Sequence, residues 1–285
     1  MNYQWYPGHM TKAKRMMQEN IKLVDLIIEL VDARIPLSSR NPDINEMGRN
    51  KSRIVLLNKA DLADPKSSQQ WMEYFEKQGA YVQELNSKSG KGVKTVQALV
   101  QEACKEKIER DKKRGIVNRP VRAMVAGIPN VGKSTFINSF AGKACTKTGN
   151  KPGVTKGKQW IRLNKNLELL DTPGILWPKF EDQQVGMKLA FIGSMNDEIM
   201  IAEELACDLI GVLKERYPEA VAGRYEIETA GKEADILSMI AESRKCYRKN
   251  EQLDLERASS ILLDDFRSGR LGRITLELPE KTQEE

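Results

Sequence analysis

The chain has 285 residues and a net charge of +6, and its 40% hydrophobic and 30% charged residues are typical of a globular protein and argue against intrinsic disorder. Its four cysteines lie far apart and form no CxxC pair, which argues against a disulfide framework or a cysteine zinc site. Because the sequence shows neither a signal-peptide pattern nor an apolar run long enough to cross a bilayer, we expect a cytoplasmic protein that contacts no membrane.

The first part of the chain alternates apolar runs with amphipathic segments. The N-terminal stretch WYPGHM contains His9, the only histidine, and precedes the first of these runs. The runs and segments predict strands at 24–31, 53–57, 80–85 and 121–127, and helices over 65–77, over 92–110 and from Lys133 onward. KQWIRL and LELLD, at 158–163 and 167–171, predict a strand pair joined by an asparagine-rich turn. The alternation predicts an α/β fold with a mainly parallel, doubly wound sheet.

After Pro178 the pattern becomes helical. Apolar residues at helical spacing predict two buried helix faces, formed by Leu205, Leu209, Val212 and Leu213 and by Leu255, Ala258, Ile261, Leu262 and Phe266. We therefore expect one domain over residues 1–178, including the N-terminal extension, and a smaller all-helical domain over residues 185–285. The final segment PEKTQEE is expected to be disordered.

GIPNVGKS, at 127–134, matches the phosphate-binding pattern G-x-x-x-x-G-K-[ST], and it lies between a predicted strand and a predicted helix. Its glycines allow backbone N–H groups to surround phosphates, Lys133 neutralises the β- and γ-phosphates, and the Ser134 hydroxyl reaches Mg²⁺. The predicted phosphate-binding residues are Asn130, Val131, Gly132, Lys133, Ser134 and Thr135.

NKAD, at 58–61, matches the pattern N-K-x-D and follows the second predicted strand. The carboxylate of Asp61 can accept hydrogen bonds from the N1–H and the N2 amine of guanine, and Asn58 can bond the other edge of the base. Adenine would leave Asp61 facing another acceptor, so the pattern, which includes Lys59, favours GTP or GDP over ATP. NSKSG follows the third strand, and its residues Asn86, Ser87 and Lys88 are candidates for supporting the guanine.

DTPG, at 171–174, ends the last predicted strand, as a turn that senses the γ-phosphate should. Asp171 is expected to reach Mg²⁺ through water, and the N–H of Gly174 is expected to contact the γ-phosphate. Thr155, in KPGVT, is the natural second hydroxyl for Mg²⁺. It lies in the basic stretch 142–157, which we expect to become ordered when the γ-phosphate is present.

The order of these motifs is unusual, because NKAD and NSKSG precede the phosphate-binding loop and DTPG. The pattern resembles that of circularly permuted GTPases, and more closely the bacterial ribosome biogenesis GTPase A family, along nearly the whole chain: WYPGHM, ELVDARIPLSSRNP, LLNKAD, GIPNVGKST, PGVT and LLDTPGILWPKFED all fit it. The resemblance implies a factor that assembles the large ribosomal subunit, with a C-terminal helical domain that contacts ribosomal RNA. We also expect no DNA partner and a monomer away from the ribosome. The DTPG turn leads directly into the helical domain, so we expect the nucleotide state to set the orientation or the RNA affinity of that domain.

Positive charge supports a polyanionic partner such as RNA. Residues 143–165 contain seven Lys or Arg and no acid, residues 105–122 contain eight basic residues against three acidic ones, and RKCYRK lies at 244–249. Each cluster alone is typical of a solvated surface. Two alternatives therefore remain: a GTP-dependent switch for a protein partner, and an RNA-binding module that holds nucleotide but barely hydrolyses it.

The activation of water has three candidate explanations, because Ile175 stands where many GTPases have a water-orienting Gln. A partner can supply a group in trans, or Asn130 can coordinate a potassium ion. In the GTPases that this chain resembles, the histidine of PGHM is implicated in hydrolysis, which makes His9 the third candidate. Arg34 and Arg40, in DARIPLSSRNP, are expected to build a structural turn, with a position near the nucleotide as the alternative.

Overall fold

The computed structural model describes residues 8–116, 119–146, 159–172, 182–195 and 201–279. Within these residues, six strands form one sheet in the order β3-β2-β1-β4-β6-β5. The strands are β1 (Leu26–Asp32), β2 (Ser52–Asn58), β3 (Tyr81–Glu84), β4 (Val121–Ala126), β5 (Gln159–Asn164) and β6 (Leu167–Asp171). All neighbouring strands are parallel except β5 and β6, which are antiparallel. The predicted α/β fold with a mainly parallel sheet is confirmed.

The helices of the sheet-containing part connect and cover these strands. They are α1 (Gly8–Ile21), α2 (Pro42–Met47), α3 (Pro65–Lys77), α4 (Val96–Ala103), α5 (Lys105–Lys113) and α6 (Lys133–Ala141). The helix predicted over 65–77 has those bounds because Asp64 caps it, accepting from the N–H groups of Lys66 and Ser67, while Pro65 occupies the first turn. Its buried Trp71 and Phe75 face the sheet core.

The prediction of a single helix over 92–110 is wrong, because two shorter helices occupy this region. Gly92 has a φ of +78°, and a Cβ at this position would lie 2.6 Å from the Glu84 carbonyl oxygen. A residue with that backbone conformation lies outside a helix, so Gly92 belongs to the turn that precedes α4, which begins at Val96. Cys104, with a ψ of 8°, separates α4 from α5. No residue of α5 is buried, whereas α4 buries Val96 and Val100.

The C-terminal part of the described chain is helical, as predicted. Its helices are α7 (Gln183–Phe191), α8 (Ala202–Arg216), α9 (Pro218–Tyr225), α10 (Glu233–Ser243) and α11 (Leu255–Arg267). On the predicted faces, Leu205, Leu209 and Leu213 are buried in α8, and Ala258, Leu262 and Phe266 are buried in α11, while Val212, Leu255 and Ile261 are partly buried. These residues and those of the sheet belong to one continuous apolar cluster, so the helices pack on the sheet-containing part. In the described residues, we find no helix with the length and apolar character that a bilayer crossing requires.

Candidate functional site

The carboxyl ends of the parallel strands form one edge of the sheet. The chain leaves β1 toward β2 and β3 on one side, and β4 and β6 lie on the other side of β1. Ligands of doubly wound sheets bind in the crevice at such a point. The loops NKAD, NSKSG and GIPNVGKS follow β2, β3 and β4, and Asp171 is the last residue of β6. The fold therefore brings together motifs that are more than a hundred residues apart in the sequence.

The loop before α6 has a backbone that two glycines permit. A Cβ at Gly132, whose φ is +101°, would lie 2.4 Å from Asn58 Nδ2. A Cβ at Gly127 would lie 2.7 Å from the Leu30 carbonyl oxygen, so the loop packs directly on β1. Helix α6 begins at Lys133, as predicted, and the Gly132 cap offers no side-chain hydrogen bond to its first N–H groups. These N–H groups and the helix dipole favour an anion at this end.

Lys133 and Asp171 form the charged centre of the site. The Lys133 Nζ is buried and donates to the carbonyl oxygens of Gly127 at 3.0 Å and Ile128 at 2.9 Å. Burial lowers the pKa of Lys133 to about 8, an effect that the charge of Asp171 opposes. Burial also raises the pKa of Asp171 to about 6, against the opposing charge of Lys133. Bound phosphates would provide negative charge that balances the buried ammonium group of Lys133.

The residues near Asp171 suit a magnesium ion. Both carboxylate oxygens of Asp171 are buried and, within the described part of the chain, have no hydrogen-bond partner. A buried carboxylate without partners is costly unless a ligand completes it, and Mg²⁺ prefers oxygen donors of this kind. Ser134, in the first turn of α6, provides a hydroxyl at the same edge. The other predicted metal and γ-phosphate contacts, Thr155 and Gly174, lie outside the described residues.

Asn58 connects three of the predicted loops. Its Nδ2 donates to the Val131 carbonyl oxygen at 2.7 Å, and its Oδ1 accepts from the Ser87 N–H at 3.0 Å. The sequence interpretation assigned Asn58 to an edge of guanine. In the structure its oxygen is used within the protein, and Nδ2 retains one N–H for a base. Asn58 therefore holds the loops together, a role that the sequence pattern alone did not indicate.

The NKAD loop rests on a buried ion-pair network. Lys59 has a φ of 60°, and its Nζ lies 3.0 Å from the buried Asp32 carboxylate. Arg34 donates to the same carboxylate at 2.7 and 2.8 Å. Although burial opposes ionisation, the charges of Arg34 and Lys59 hold the pKa of Asp32 below its ordinary value. Arg40 instead pairs with buried Glu29 at 3.0 Å, so the predicted structural turn is confirmed for both arginines.

Asp61 differs from Asn58 and Lys59 in that its side chain is not used within the described part of the protein. Its side chain is exposed, and no hydrogen bond or ion pair to it occurs among the described residues. The Ser87 hydroxyl, on the adjacent loop, is buried without a partner in the described structure. Asn86 accepts from the N–H groups of Lys88 and Ser89, which shapes that loop, while Lys88 is exposed. Among the described residues, the arrangement places an exposed carboxylate and a buried, unpaired hydroxyl on the two loops beside the phosphate-binding loop.

The phosphate-binding loop also contacts the helical part of the chain. Asn130, with a φ of 58°, donates from Nδ2 to the Gly193 carbonyl oxygen at 2.7 Å. Ser194 donates from its hydroxyl to the Pro129 carbonyl oxygen at 2.9 Å. Gly193 and Ser194 follow α7, and no sequence motif marked them. The structure thus assigns Asn130 a contact with the loop after α7, and its Oδ1 is the atom that a potassium ion would use.

His9 lies in the first turn of α1, but its side chain is not among those that the structure describes. Ile175 lies outside the described residues.

Comparisons with known proteins agree with this geometry. Residues 122–259 match a family described as 50S ribosome-binding GTPase. Ribosome biogenesis GTPase A of Bacillus cereus is 44% identical, covering 100% of this chain and 97% of the relative, and that of Thermotoga maritima is 33% identical, covering 97% and 94%. The crystal structure of GNP-bound YlqF from T. maritima is 29% identical, has a TM-score of 0.67 and covers 95% of this chain and 100% of that one. A GDP-bound structure of YlqF has a TM-score of 0.69 at 25% identity, with 93% and 99% coverage.

Proposed function

The chain belongs to the ribosome biogenesis GTPase A family, and on that premise we propose that this GTPase acts in assembly of the large ribosomal subunit. In its GTP state it binds precursor particles and their rRNA in the cytoplasm, and it leaves after hydrolysis as a monomer, without DNA or membrane partners. The observation that carries the proposal is the meeting of three motif loops through Asn58, beside the buried Lys133 and Asp171. A nucleoside phosphate would use all of these groups together.

We propose that the residues predicted from the sequence motifs bind the guanine nucleotide. Asp61 reads N1–H and the N2 amine of guanine, supported by Asn58 and by the loop of Asn86, Ser87 and Lys88. Lys133, the backbone of residues 130–135 and the Gly174 N–H hold the phosphates. Ser134, Asp171 and Thr155 would hold Mg²⁺, which when bound supplies further positive charge to the β- and γ-phosphates.

Residues 185–285 are proposed to contact rRNA, while residues 1–178 carry hydrolysis. The loop between α10 and α11 is closed by a bridge between Tyr247 and Leu253 and anchored by buried Cys246. Tyr247 is 48% exposed, and its neighbours Lys245, Arg248 and Lys249 are exposed as well. An exposed ring flanked by cations suits an unstacked RNA base and its neighbouring phosphates.

Binding to precursor particles tests this proposal. We expect tight binding with a non-hydrolysable GTP analogue, at least roughly tenfold weaker binding with GDP, and a steep loss of affinity with salt. Replacing Arg248 and Lys249 with alanine should reduce the slope of log affinity against log salt by about two, because each lost phosphate contact releases one counterion fewer.

The matched control replaces two exposed lysines of α3, Lys66 and Lys77, with alanine and should keep the slope. A slope unchanged by the Arg248 and Lys249 substitutions contradicts the RNA-contacting loop. Binding that survives removal of RNA from the particles favours instead a switch for a protein partner. Equal affinity with the GTP analogue and with GDP contradicts nucleotide control.

Hydrolysis requires a water molecule held in line with the γ-phosphate. Because phosphoryl transfer has a loose transition state, holding the water matters more than a strong base. Ile175 cannot hydrogen-bond water, so we assign this task to His9, whose neutral imidazole can accept a hydrogen bond near pH 7. Binding of a precursor particle is proposed to place the N-terminal segment beside the γ-phosphate, which would make turnover low in solution and higher on the particle.

Replacing His9 with alanine should lower particle-stimulated GTP turnover by roughly a hundredfold and leave GTP affinity unchanged, since only the positioning of water is lost. Phosphate release with and without large subunits measures this. Gln18→Ala, at an exposed position of the same helix, is the matched control and should retain turnover. Full turnover by His9→Ala would contradict the assignment. If that activity also collapsed when sodium replaced potassium, a potassium ion on Asn130 would be the supported alternative.

A further inference from the structure

A segment from the far end of the chain crosses the loop that carries Asp61. Residues 272–278, which we call the C-terminal strap, follow α11 and return across the β1 and β2 loops. The Ile274 N–H donates to the Leu62 carbonyl oxygen at 2.9 Å, and the Leu276 N–H donates to the Arg34 carbonyl oxygen at 2.8 Å. The strap therefore contacts both the loop that begins with NKAD, which we take as residues 58–64, and the turn that contains the Asp32–Arg34 pair.

Arg273 contacts the NKAD loop on both sides of Asp61. Its Nη2 donates to the Ala60 carbonyl oxygen and its Nε donates to the Ala63 carbonyl oxygen, each at 2.9 Å. A planar guanidinium presents these donors in a fixed geometry, so the two carbonyl groups are held at a fixed separation. Asp61 lies between them in sequence, with its own carboxylate exposed.

Thr275 fixes the end of the same loop. Its hydroxyl oxygen accepts from the Asp64 N–H at 3.1 Å and lies 3.4 Å from the Ala33 carbonyl oxygen. Thr275 is fully buried, so these contacts are shielded from water. With Arg273 and Ile274, it gives the strap four hydrogen bonds to residues 60–64.

The strap is anchored at its other end by Glu277. The buried carboxylate of Glu277 accepts from the Leu37 N–H, from the Ser38 N–H at 2.9 Å and from the Ser38 hydroxyl at 2.6 Å. Lys188 of α7 forms an ion pair with this carboxylate at 3.2 Å, and the indole N–H of Trp71 in α3 donates to the backbone carbonyl oxygen of Glu277 at 3.1 Å. Because one end is fixed this firmly, the strap can act as a rigid support for the loop.

We infer that the C-terminal strap positions the guanine-reading loop, and that Arg273 is a positioning residue for base recognition. A hydrogen bond to N1–H and the N2 amine needs the Asp61 carboxylate within a few tenths of an ångström of its place. Lys59 and the strap hold the two ends of a short exposed loop, and Arg273 sets the backbone on either side of Asp61. The inference rests on the proposed guanine site. If it holds, Arg273 contributes to nucleotide specificity although it lies more than two hundred positions from Asp61 in the sequence.

The test compares the affinities of the full chain for GDP and for inosine diphosphate, which lacks the N2 amine. Wild-type protein should prefer GDP, because Asp61 bonds that amine. In Arg273→Ala, we expect this preference to fall by roughly fivefold to tenfold, because a misplaced carboxylate gains less from the amine. Loss of overall stability alone would reduce the amount of folded protein and leave the ratio of the two affinities unchanged.

Arg270→Ala is the matched control. Arg270 lies three residues earlier and pairs with Asp265 of α11, without a described contact to residues 60–64. This variant should keep the wild-type ratio of affinities. Arg273→Lys, which retains a charged donor, should restore part of the preference, and Thr275→Val, which removes a hydroxyl at nearly constant volume, should reduce it.

The outcomes separate the inference from the function on which it rests. A wild-type protein that binds both diphosphates equally overturns the guanine assignment of Asp61, and the inference with it. A wild-type preference that persists unchanged in folded Arg273→Ala overturns the inference alone. If Arg273→Ala does not fold, an unchanged ratio in both Arg273→Lys and Thr275→Val overturns it equally.

Discussion

GTP hydrolysis by Lys133→Ala is expected to fall by at least roughly a hundredfold, with a parallel loss of affinity for the nucleotide triphosphate. In the structure the ammonium is buried and bonded to the carbonyl oxygens of Gly127 and Ile128. Its position on the loop is therefore already set before phosphates arrive, and little reorganisation is needed to meet them. Alanine removes both the positive charge and two hydrogen bonds that shape the loop.

Calorimetric titration with a GTP analogue and phosphate release in single turnover would measure the two effects. Lys143→Ala is a matched control, because Lys143 is exposed just after α6 and belongs to the same basic stretch. Turnover of Lys133→Ala within twofold of the wild type would contradict the site. Equal losses in both variants would point to general charge and not to a specific phosphate contact.

Asp61→Asn should exchange guanine specificity for xanthine specificity. In the proposed site the carboxylate would accept from N1–H and the N2 amine of guanine, whereas the asparagine amide would place a donor where the amine donates. Two facing donors leave a hydrogen bond unmade, so we expect GTP affinity to fall by at least about a hundredfold. Xanthine carries an oxygen in place of that amine, and the new donor can pair with it. Xanthosine triphosphate should therefore bind better than GTP.

Because Asp61 is exposed, its substitution is expected to affect base recognition and not stability. Because no described group bonds to the side chain, the change should alter the base site without loosening the fold. Competition between GTP and xanthosine triphosphate measures the exchange, and Glu76→Gln, an exposed charge loss in α3, is the control. A preference for GTP retained by Asp61→Asn would show that the NKAD loop does not read the base.

The phosphate-binding loop was predictable because its requirements are local. Gly127 and Gly132 stand where a Cβ would meet Leu30 or Asn58, and Lys133 begins the helix that follows. A four-residue spacing is enough to express these requirements in sequence. The bounds of α3 were predictable for the same reason, since Asp64 and Pro65 are adjacent signals of a helix start.

The helix predicted over 92–110 shows where local patterns fail. The apolar spacing of Val96 and Val100 indicated a helix correctly, but Gly92, which has a φ of +78° and lies close to the Glu84 carbonyl oxygen, is outside that helix. That contact depends on where β3 ends in the sheet. Periodicity reports which residues of an element are buried, and it does not report what the ends of the element meet.

By itself, the sequence determined the α/β class, the GIPNVGKS and NKAD loops at the strand ends and the unusual order in which they occur. These features depend on residue type and on spacings within a few turns of chain, which physical chemistry constrains strongly. Only the tertiary structure decided that Asn58 bonds both Val131 and Ser87, that Asp32 anchors Lys59, and that Arg273 contacts Ala60 and Ala63. The physical reason is that every residue has a backbone carbonyl group, so the sequence does not indicate which of them a distant side chain will contact. An arginine two hundred residues away finds them only when the sheet and the helices have packed together.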